Sequence, residues 1–392
     1  MREQFLTFGR PLIGEEDVAE VLDTLASGWL GTGPKTKLFE ARFAEYVGAR
    51  CAVGVSSCTA ALHLGLDLIG VREGDEIITS PLTFPATANV VEHFRARPVF
   101  ADVDRGTMTI DAGQVEAAVT PRTRAIIPVH LAGRPCDMPK LLEIAGRHGL
   151  TVIDDAAHAI EAAVGRLKIG SAGHMTAFSF YVTKNLVTGE GGMLTTDRAE
   201  WAESARVRSL HGIDSDAWKR YGAEGFTPYY TVYPGYKYNM TDMQASLGLH
   251  QLARLDASLA VRERHWARYD EAFGDLDEVI TPMRQPGIRH ARHLYTLLLR
   301  LECLTIDRNQ FVDELKRRRI GAGVHFTALH LHTYYRERYG YTRGMFPNAE
   351  WIGDRTVSLP LSAALSDADV DDVVAAVREI VAGNRRAVIP VS

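Results

Sequence analysis

The chain has 392 residues, of which 46% are hydrophobic and 24% are charged; this composition excludes a disordered or low-complexity protein. At about 150 residues per domain, the length predicts two or three domains. The 44 Lys and Arg against 49 Asp and Glu give a net charge of −5, which argues against a general attraction to nucleic acid or to an anionic membrane.

The first two thirds of the chain alternate short apolar runs with helical patterns. Seven runs predict strands, at residues 51–55, 76–80, 98–102, 125–129, 151–155, 176–180 and 192–196. Helices are predicted between them, including 59–69, 111–118 and 138–148. Several runs are apolar almost throughout, which is typical of strands covered on both faces. The alternation predicts an α/β fold, with a mainly parallel seven-stranded sheet flanked by helices.

The pattern changes at residue 241. Thr241 and Gln244 form a capping box, and apolar residues at helical steps from Leu252 to Phe273 predict one long helix. After it we predict a strand at 294–302, a helix at 309–319, a strand entry at 321–326 and a last helix that begins at Ser366. We therefore expect a large domain over residues 1–255 and a smaller C-terminal α+β domain over 256–392.

Neither the termini nor the cysteines indicate export or a metal. No apolar stretch approaches the roughly 18 residues of a membrane helix, and the first 17 residues lack the apolar core of a signal peptide. We expect a cytoplasmic protein. The four cysteines show no CxxC spacing, so we expect free thiols. His330 and His332 have no acidic partner at ligand spacing, and we expect no metal.

Ligands of such a sheet bind beyond the carboxyl ends of its strands, so the polar residues there carry the functional information. The segment SSCTAA (56–61) joins a strand to a helix, where small residues and free amides can hold a phosphate, although an ordinary N-cap explains it equally. Asp154 and Asp155 end another strand, and a buried carboxylate there needs a cation or a strong donor. Lys184 follows a third strand, where burial would make it a nucleophile.

The three segments together predict a site for pyridoxal 5′-phosphate. The first would anchor the phosphate, an Asp would keep the ring nitrogen protonated, and Lys184 would bond to the cofactor's aldehyde carbon.

The sequence then resembles the sugar-nucleotide aminotransferases of the DegT/DnrJ/EryC1/StrS family, which have the fold type I architecture. The resemblance covers nearly the whole chain and is most specific in FSFYVTKNLVTGEGGM and PGYKYNMTD. It extends to VSSCTAALHL, TFPATANVV, PVHLAGRPCDM and VIDDAAHA. It implies a pyridoxal-phosphate-dependent aminotransferase.

The resemblance also assigns roles around the cofactor. Lys184 matches the lysine that bonds to the cofactor and shuttles the proton, and Asp155 matches the partner of the pyridine nitrogen. Asp154 stands where the family usually has Glu, and we expect no catalytic role for it. Phe84 matches the aromatic ring that stacks on the pyridine, and His158 matches a contact from the other side or to the 3′ oxygen. The residues that match phosphate ligands are Thr59, the backbone of Ala60, and Ser179.

The resemblance further implies a homodimer with shared active sites. Lys237 and Asn239, in PGYKYNMTD, match a loop that reaches the neighbour's phosphate, and of the two we favour Asn239. The sugar-nucleotide pocket is expected near loops that carry Thr32, His211 and His325. We also expect a loop with His211 and Trp218 to cover that pocket.

The implied reaction moves an amino group from L-glutamate to a nucleotide-activated keto-sugar. The TKN sequence followed by TGEGG is typical of relatives that aminate C-4, which favours a UDP- or dTDP-linked 4-keto-6-deoxy sugar or 4-keto-pentose. Amination at C-3 or of a cyclitol is an alternative, and a non-catalytic binding or regulatory protein with this fold is another. A dehydratase is disfavoured, because those relatives carry His in place of the lysine.

Overall fold

The computed structural model describes residues 2–214 and 229–386. Numbered along the chain, the strands are β1 (Cys51–Val55), β2 (Glu76–Thr79), β3 (Arg97–Phe100), β4 (Thr123–Ile127), β5 (Thr151–Asp155), β6 (Ala163–Val164), β7 (Leu167–Lys168), β8 (Met175–Ser179), β9 (Gly192–Thr196), β10 (Val279–Ile280), β11 (Ile288–Arg289), β12 (Tyr295–Leu299) and β13 (Thr356–Leu359).

The helices are α1 (Glu15–Ser27), α2 (Pro34–Val47), α3 (Cys58–Leu68), α4 (Ala86–Glu92), α5 (Ala112–Ala118), α6 (Met138–His148), α7 (Ala199–Ser209), α8 (Asp242–Ala253), α9 (Leu255–Phe273), α10 (Arg308–Arg317), α11 (Thr333–Tyr339), α12 (Pro347–Gly353) and α13 (Asp367–Gly383). None of those in the described ranges combines the length and the apolar character needed to cross a bilayer.

The central sheet contains all seven predicted strands, in the order β1-β9-β8-β5-β4-β2-β3. Every neighbouring pair is parallel except the two that involve β9. Side chains alternate along each strand between two apolar clusters: Val152 belongs to one and Ile153 to the other, as do Ile78 and Ile77. Helices therefore cover both faces of the sheet, which confirms the predicted α/β fold and explains why the strands are so apolar.

A second sheet in the C-terminal part has the antiparallel order β10-β12-β13. It shares a hydrophobic cluster with α9, α10 and α13, to which Trp266, Tyr295 and Phe311 belong. Leu6 joins the same cluster and pairs with Ile320. The first residues of the chain thus pack with its C-terminal part, which a division at residue 255 does not anticipate. That division stays a prediction.

The single long helix predicted after residue 241 is wrong in one respect. The capping box of Thr241 and Gln244 is present, but the helix breaks at Arg254, whose φ of −101° and ψ of 11° separate α8 from α9. The Arg254 guanidinium forms an ion pair with the fully buried Asp17 of α1. A buried carboxylate needs such a partner, and helical periodicity alone does not reveal it.

The strand entry predicted at 321–326 is also wrong. Only Gly323 pairs there, through a single bridge to Ser358 of β13. The predicted last helix is confirmed, with Ser366 as its N-cap.

Candidate active site

The predicted site segments meet at one edge of the central sheet. Strands β1, β5 and β8 run in the same direction, so Val55, Asp155 and Ser179 end together. Gly192 begins β9 and pairs with both Val55 and Ser179. A Cβ at Gly192 would lie 2.4 Å from the carbonyl carbon of Ser57. Glycine here therefore lets β9 pass directly against the turn that enters α3.

The Asp155 carboxylate lies in a buried setting and is partly satisfied. Asp155 is 6% exposed. Oδ2 accepts a hydrogen bond of 2.7 Å from Thr87 Oγ1, and Oδ1 accepts one of 3.2 Å from the Ala157 amide. Burial raises the pKa of Asp155, while these two donors and the nearby Lys184 charge oppose the rise. Lone pairs remain on both oxygens, so the carboxylate can still accept from a cationic N–H.

Asp154 has a different environment, because adjacent residues of a strand point to opposite faces of the sheet. It is fully buried and accepts a hydrogen bond of 3.1 Å from Thr176. Its other neighbour is the buried His130, whose Nε2 lies 3.9 Å from Oδ2. Asp154 is thus held within the core, as the assignment of Asp155 rather than Asp154 to the cofactor requires.

Lys184 lies in the turn after β8, where its amide donates to the Tyr181 carbonyl at 2.9 Å. Burial lowers the pKa of its amine to about 8, although Cys58 and Asp155 act in the opposite direction. At that pKa about a tenth of the amine is neutral at pH 7. Lys184 is therefore far more nucleophilic at neutral pH than an exposed lysine.

The lowered pKa of Lys184 predicts its reactivity. Only the unprotonated amine attacks, so labelling of Lys184 should rise with pH and be half-maximal near pH 8. The apoprotein is treated with trace acetic anhydride from pH 6 to 11, and each lysine is quantified by peptide mass. The exposed lysines of the same sample serve as controls. A midpoint near the ordinary value of 10.5 for Lys184 would contradict the inferred burial of its amine.

Three histidines surround the region of Lys184. The ring of His158 lies 4.3 Å from that of His293 and 6.3 Å from that of His325, measured between centroids. Burial, and secondarily the charge of Lys184, lower the pKa of all three, in His325 to about 4. The imidazoles are therefore neutral at pH 7. Each ring can donate one hydrogen bond and accept another without carrying a positive charge.

His158 and His325 are among the residues predicted for the site, whereas His293 is not. His293 stands just before β12, far along the chain from the other site segments, and its Nδ1 lies 3.0 Å from Asn185 Oδ1. Phe326 is not among the predicted residues either; its ring stacks on His158 at 6.2 Å and 18°. His293 directly precedes the predicted strand at 294–302, and Phe326 directly follows His325. The local sequence offers no other signal for either residue.

Phe84 presents an uncovered aromatic ring at the same edge. The residue is 60% exposed although Thr83 before it is buried. Its ring approaches one aromatic neighbour, Phe326, at 6.2 Å and 55°. An exposed ring beside buried polar groups offers a surface for a flat aromatic partner. Together with the buried Asp155 carboxylate, it fits a protonated pyridine ring.

The predicted phosphate ligands lie at the start of α3 and the end of β8. Thr59 is exposed in the first turn of α3, and Ser179 ends β8 with its Oγ accepting from the Tyr181 amide at 3.4 Å. The Ala60 amide differs from the expectation. It donates to Oγ of the N-cap Ser57 at 3.0 Å, because the cap satisfies this otherwise unpaired group.

Among the remaining predicted residues, Asn239 lies beside the end of β1: it pairs with Val55, and the neighbouring Tyr238 carbonyl accepts from the Ser56 amide at 2.6 Å. Asn239 Nδ2 donates to Thr32 Oγ1 at 2.7 Å, and the His211 amide donates to the Tyr236 carbonyl at 2.7 Å. Lys237 is exposed. In the described ranges, no hydrogen bond or ring contact links Thr32, His211 or Asn239 to Lys184. Trp218 lies outside the described residues.

No group of three potential metal ligands occurs in residues 2–214 and 229–386. His330 instead bonds to Glu350, with Nε2 and Oε1 3.0 Å apart.

The chain is similar in sequence to known proteins over nearly its whole length. The sequence model of the DegT/DnrJ/EryC1/StrS aminotransferase family matches residues 11–378. The spore coat polysaccharide biosynthesis protein SpsC of Bacillus subtilis is 52% identical over 383 residues, which cover 97% of this chain and 98% of that protein.

Two solved structures show the likeness in three dimensions. The putative sugar aminotransferase Spr1654 from Streptococcus pneumoniae, in its PMP form, has a TM-score of 0.90 and 33% identity, covering 97% of this chain and 98% of its own; it is also known in a PLP form. Helicobacter pylori PseC, an aminotransferase involved in pseudoaminic acid biosynthesis, has a TM-score of 0.90 and 26% identity, covering 97% and 100%.

Proposed function

This chain belongs to the DegT/DnrJ/EryC1/StrS aminotransferase family, and from that membership we propose that it moves an amino group from L-glutamate to a nucleotide-activated keto-sugar. It is an aminotransferase that depends on pyridoxal 5′-phosphate. The observation that carries the proposal is the convergence of Lys184, Asp155 and Phe84 at one edge of the sheet.

These residues would hold the cofactor as follows. Lys184 would bond to it, Asp155 would accept from the ring nitrogen, and Phe84 would cover one face of the ring. His158 would lie on the other side, with Thr59 and Ser179 at the phosphate. When bound, the cofactor withdraws electrons from the carbon that carries the amino group.

The chain's own groups would move and hold the protons. An amine whose pKa is about 8 can both take and return a proton near neutral pH, so Lys184 would carry it between the substrate carbon and the cofactor's C4′. Asp155, kept anionic, would hold a proton at the ring nitrogen. Phe84 would exclude water from the ring.

The sugar and its position are inferred from the sequence and the relatives. SpsC is named for spore coat polysaccharide biosynthesis, and PseC is described as involved in the biosynthesis of pseudoaminic acid. The run TKNLVTGEGG after β8 favours C-4 of a UDP- or dTDP-4-keto-6-deoxy sugar. Because His325 is neutral at pH 7, it would form hydrogen bonds with sugar hydroxyls and would not attract the negatively charged phosphates of the nucleotide.

The experiment incubates the purified protein with L-glutamate and a panel of UDP- and dTDP-linked 4-keto and 3-keto sugars. We expect one amino sugar, with nitrogen at C-4 by NMR, and one equivalent of 2-oxoglutarate. Nitrogen at C-3 would refute the position. Amination of none of these sugar nucleotides would refute the substrate class.

We propose further that the enzyme is a homodimer with shared active sites. Asn239 lies beside the end of β1, where it pairs with Val55, and the resemblance of PGYKYNMTD to a loop that reaches the neighbour's phosphate supports a role in the partner's site. Beside Thr32, α1 and the segment after it expose a run of large apolar side chains, namely Leu22, Leu25, Trp29 and Leu30. Such a surface is typical of a protein interface.

Complementation tests the shared site. Lys184→Ala and Asn239→Asp are each expected to be inactive; Asp at 239 would put a like charge beside the phosphate. After subunit exchange of equal amounts, half of the dimers are mixed and one of their two sites is intact. About a quarter of wild-type activity should return. No recovery despite demonstrated exchange would mean that each site is complete in one subunit.

A further inference from the structure

Two threonine hydroxyls form a chain that ends on Asp155. The Oγ1 atoms of Thr83 and Thr87 lie 2.8 Å apart, and Thr87 Oγ1 lies 2.7 Å from Asp155 Oδ2. Both threonines are buried. A carboxylate can only accept, so the one proton of Thr87 points to Asp155. Thr83 must then donate to Thr87, and the whole chain has one direction.

We propose that Thr87, oriented by Thr83, is a positioning residue that keeps the Asp155 carboxylate ionised and turned toward the ring nitrogen of the cofactor. The inference rests on the role given to Asp155 in the proposed function.

The Thr87 hydroxyl gives the carboxylate its shortest hydrogen bond, and the charge of the neighbouring Lys184 is variable. Oδ1 has the Ala157 amide at 3.2 Å and the Cys58 thiol at 3.9 Å, whereas Thr87 is the donor to Oδ2. The charged and titratable groups that face Asp155 are Lys184, Cys58 and His130. Lys184 changes its charge when it moves a proton, so it cannot stabilise the carboxylate constantly. A hydroxyl donor can.

The same turn also places the ring that covers the cofactor. Phe84 lies between the two threonines, and its carbonyl accepts from the Thr87 amide at 3.2 Å. The segment 83–87 therefore fixes two things at once: the rotation of the Asp155 carboxylate and the position of Phe84. Because Thr87 donates to Oδ2 and the Ala157 amide donates to Oδ1, the carboxylate keeps a free lone pair at a fixed angle for the ring N–H.

The test measures cofactor binding rather than turnover. Dissociation constants of pyridoxal 5′-phosphate are determined from pH 5.5 to 8.5 for wild type, Thr87→Val, Thr87→Ser and Thr83→Val. Without the Thr87 donor, Asp155 should take up a proton at higher pH, and binding should weaken as it does. We expect the midpoint of this loss to move up by about one to two pH units in Thr87→Val. Thr87→Ser should restore it, and Thr83→Val should shift it less.

Thr176→Val is the matched control, because it removes an equally buried hydroxyl from the neighbouring Asp154. It should leave the midpoint unchanged, since a loss of stability alone does not move it. If Thr87→Val does not fold, an unshifted Thr83→Val overturns the proposal, as does a Thr87→Val profile that superimposes on wild type.

Asp155→Asn distinguishes failure of this proposal from failure of the proposed function. If Asp155→Asn binds the cofactor like wild type, the role of Asp155 fails. If it binds weakly while both threonine variants are normal, only the threonine chain fails.

Discussion

Lys184→Ala is expected to lose at least about 10³-fold in turnover, because it removes both the bond to the cofactor and the group that moves the proton. Cofactor should still bind, more weakly, through Asp155 and the phosphate ligands. The measurement is the rate of 2-oxoglutarate formation from L-glutamate with the accepted keto-sugar. The fold itself should persist, since the Lys184 side chain contributes an amine rather than apolar packing.

Lys168→Ala is the matched control for this variant. Lys168 is another half-buried lysine whose pKa is lowered by burial, and its ammonium lies 4.3 Å from the centroid of the Tyr46 ring. It lies in β7, away from the strand-end site. Its replacement should leave turnover within about twofold of wild type. If Lys168→Ala were as inactive as Lys184→Ala, buried lysines in general, and not this one, would account for the loss.

Asp155→Asn should lose roughly 10²- to 10³-fold in turnover and bind the cofactor less tightly. The amide has nearly the same shape, so the contacts with Thr87 and Ala157 can be kept in part. It has no negative charge, however, and cannot hold a proton at the ring nitrogen. Turnover and the cofactor dissociation constant are measured on the same preparation.

Asp154→Asn provides the comparison for that result. Asp154 is as buried as Asp155 but points to the other face of the sheet, toward Thr176 and His130. Its replacement should lower the stability of the fold, and it should reduce turnover far less than Asp155→Asn does. Equal losses of turnover in the two variants would show that the assignment of Asp155 over Asp154 has no basis.

The fold could be predicted from the sequence, and so could the position of Asp155 and Lys184 at one edge of the sheet, because both depend on local patterns. Seven apolar runs gave the seven strands, and parallel strands bring their carboxyl ends to one edge, so Asp155 and Lys184 could be placed in advance. The choice between Asp154 and Asp155 came from the resemblance. Strand alternation adds an independent reason, since the two side chains face opposite sides.

What the sequence did not predict depends on contacts between distant segments. At the break between α8 and α9, Arg254 pairs with the buried Asp17, which lies 237 positions earlier. His293 enters the site from the segment just before β12 of the C-terminal sheet, and apart from that position nothing in its local sequence indicates a ligand. Thr87 lies in TFPATANVV, but its hydrogen bond to Asp155 spans 68 positions, so only the three-dimensional structure shows it.

The most direct test of the central claim is to reduce the cofactor-loaded wild-type enzyme with borohydride and to map the modified peptide by mass spectrometry. Reduction fixes the cofactor on the lysine that holds it. We expect the added mass on Lys184 alone, and we expect prior addition of L-glutamate to abolish the trapping, because the amino donor releases that lysine. Modification of Lys35, Lys168 or any other lysine in place of Lys184 would contradict the account.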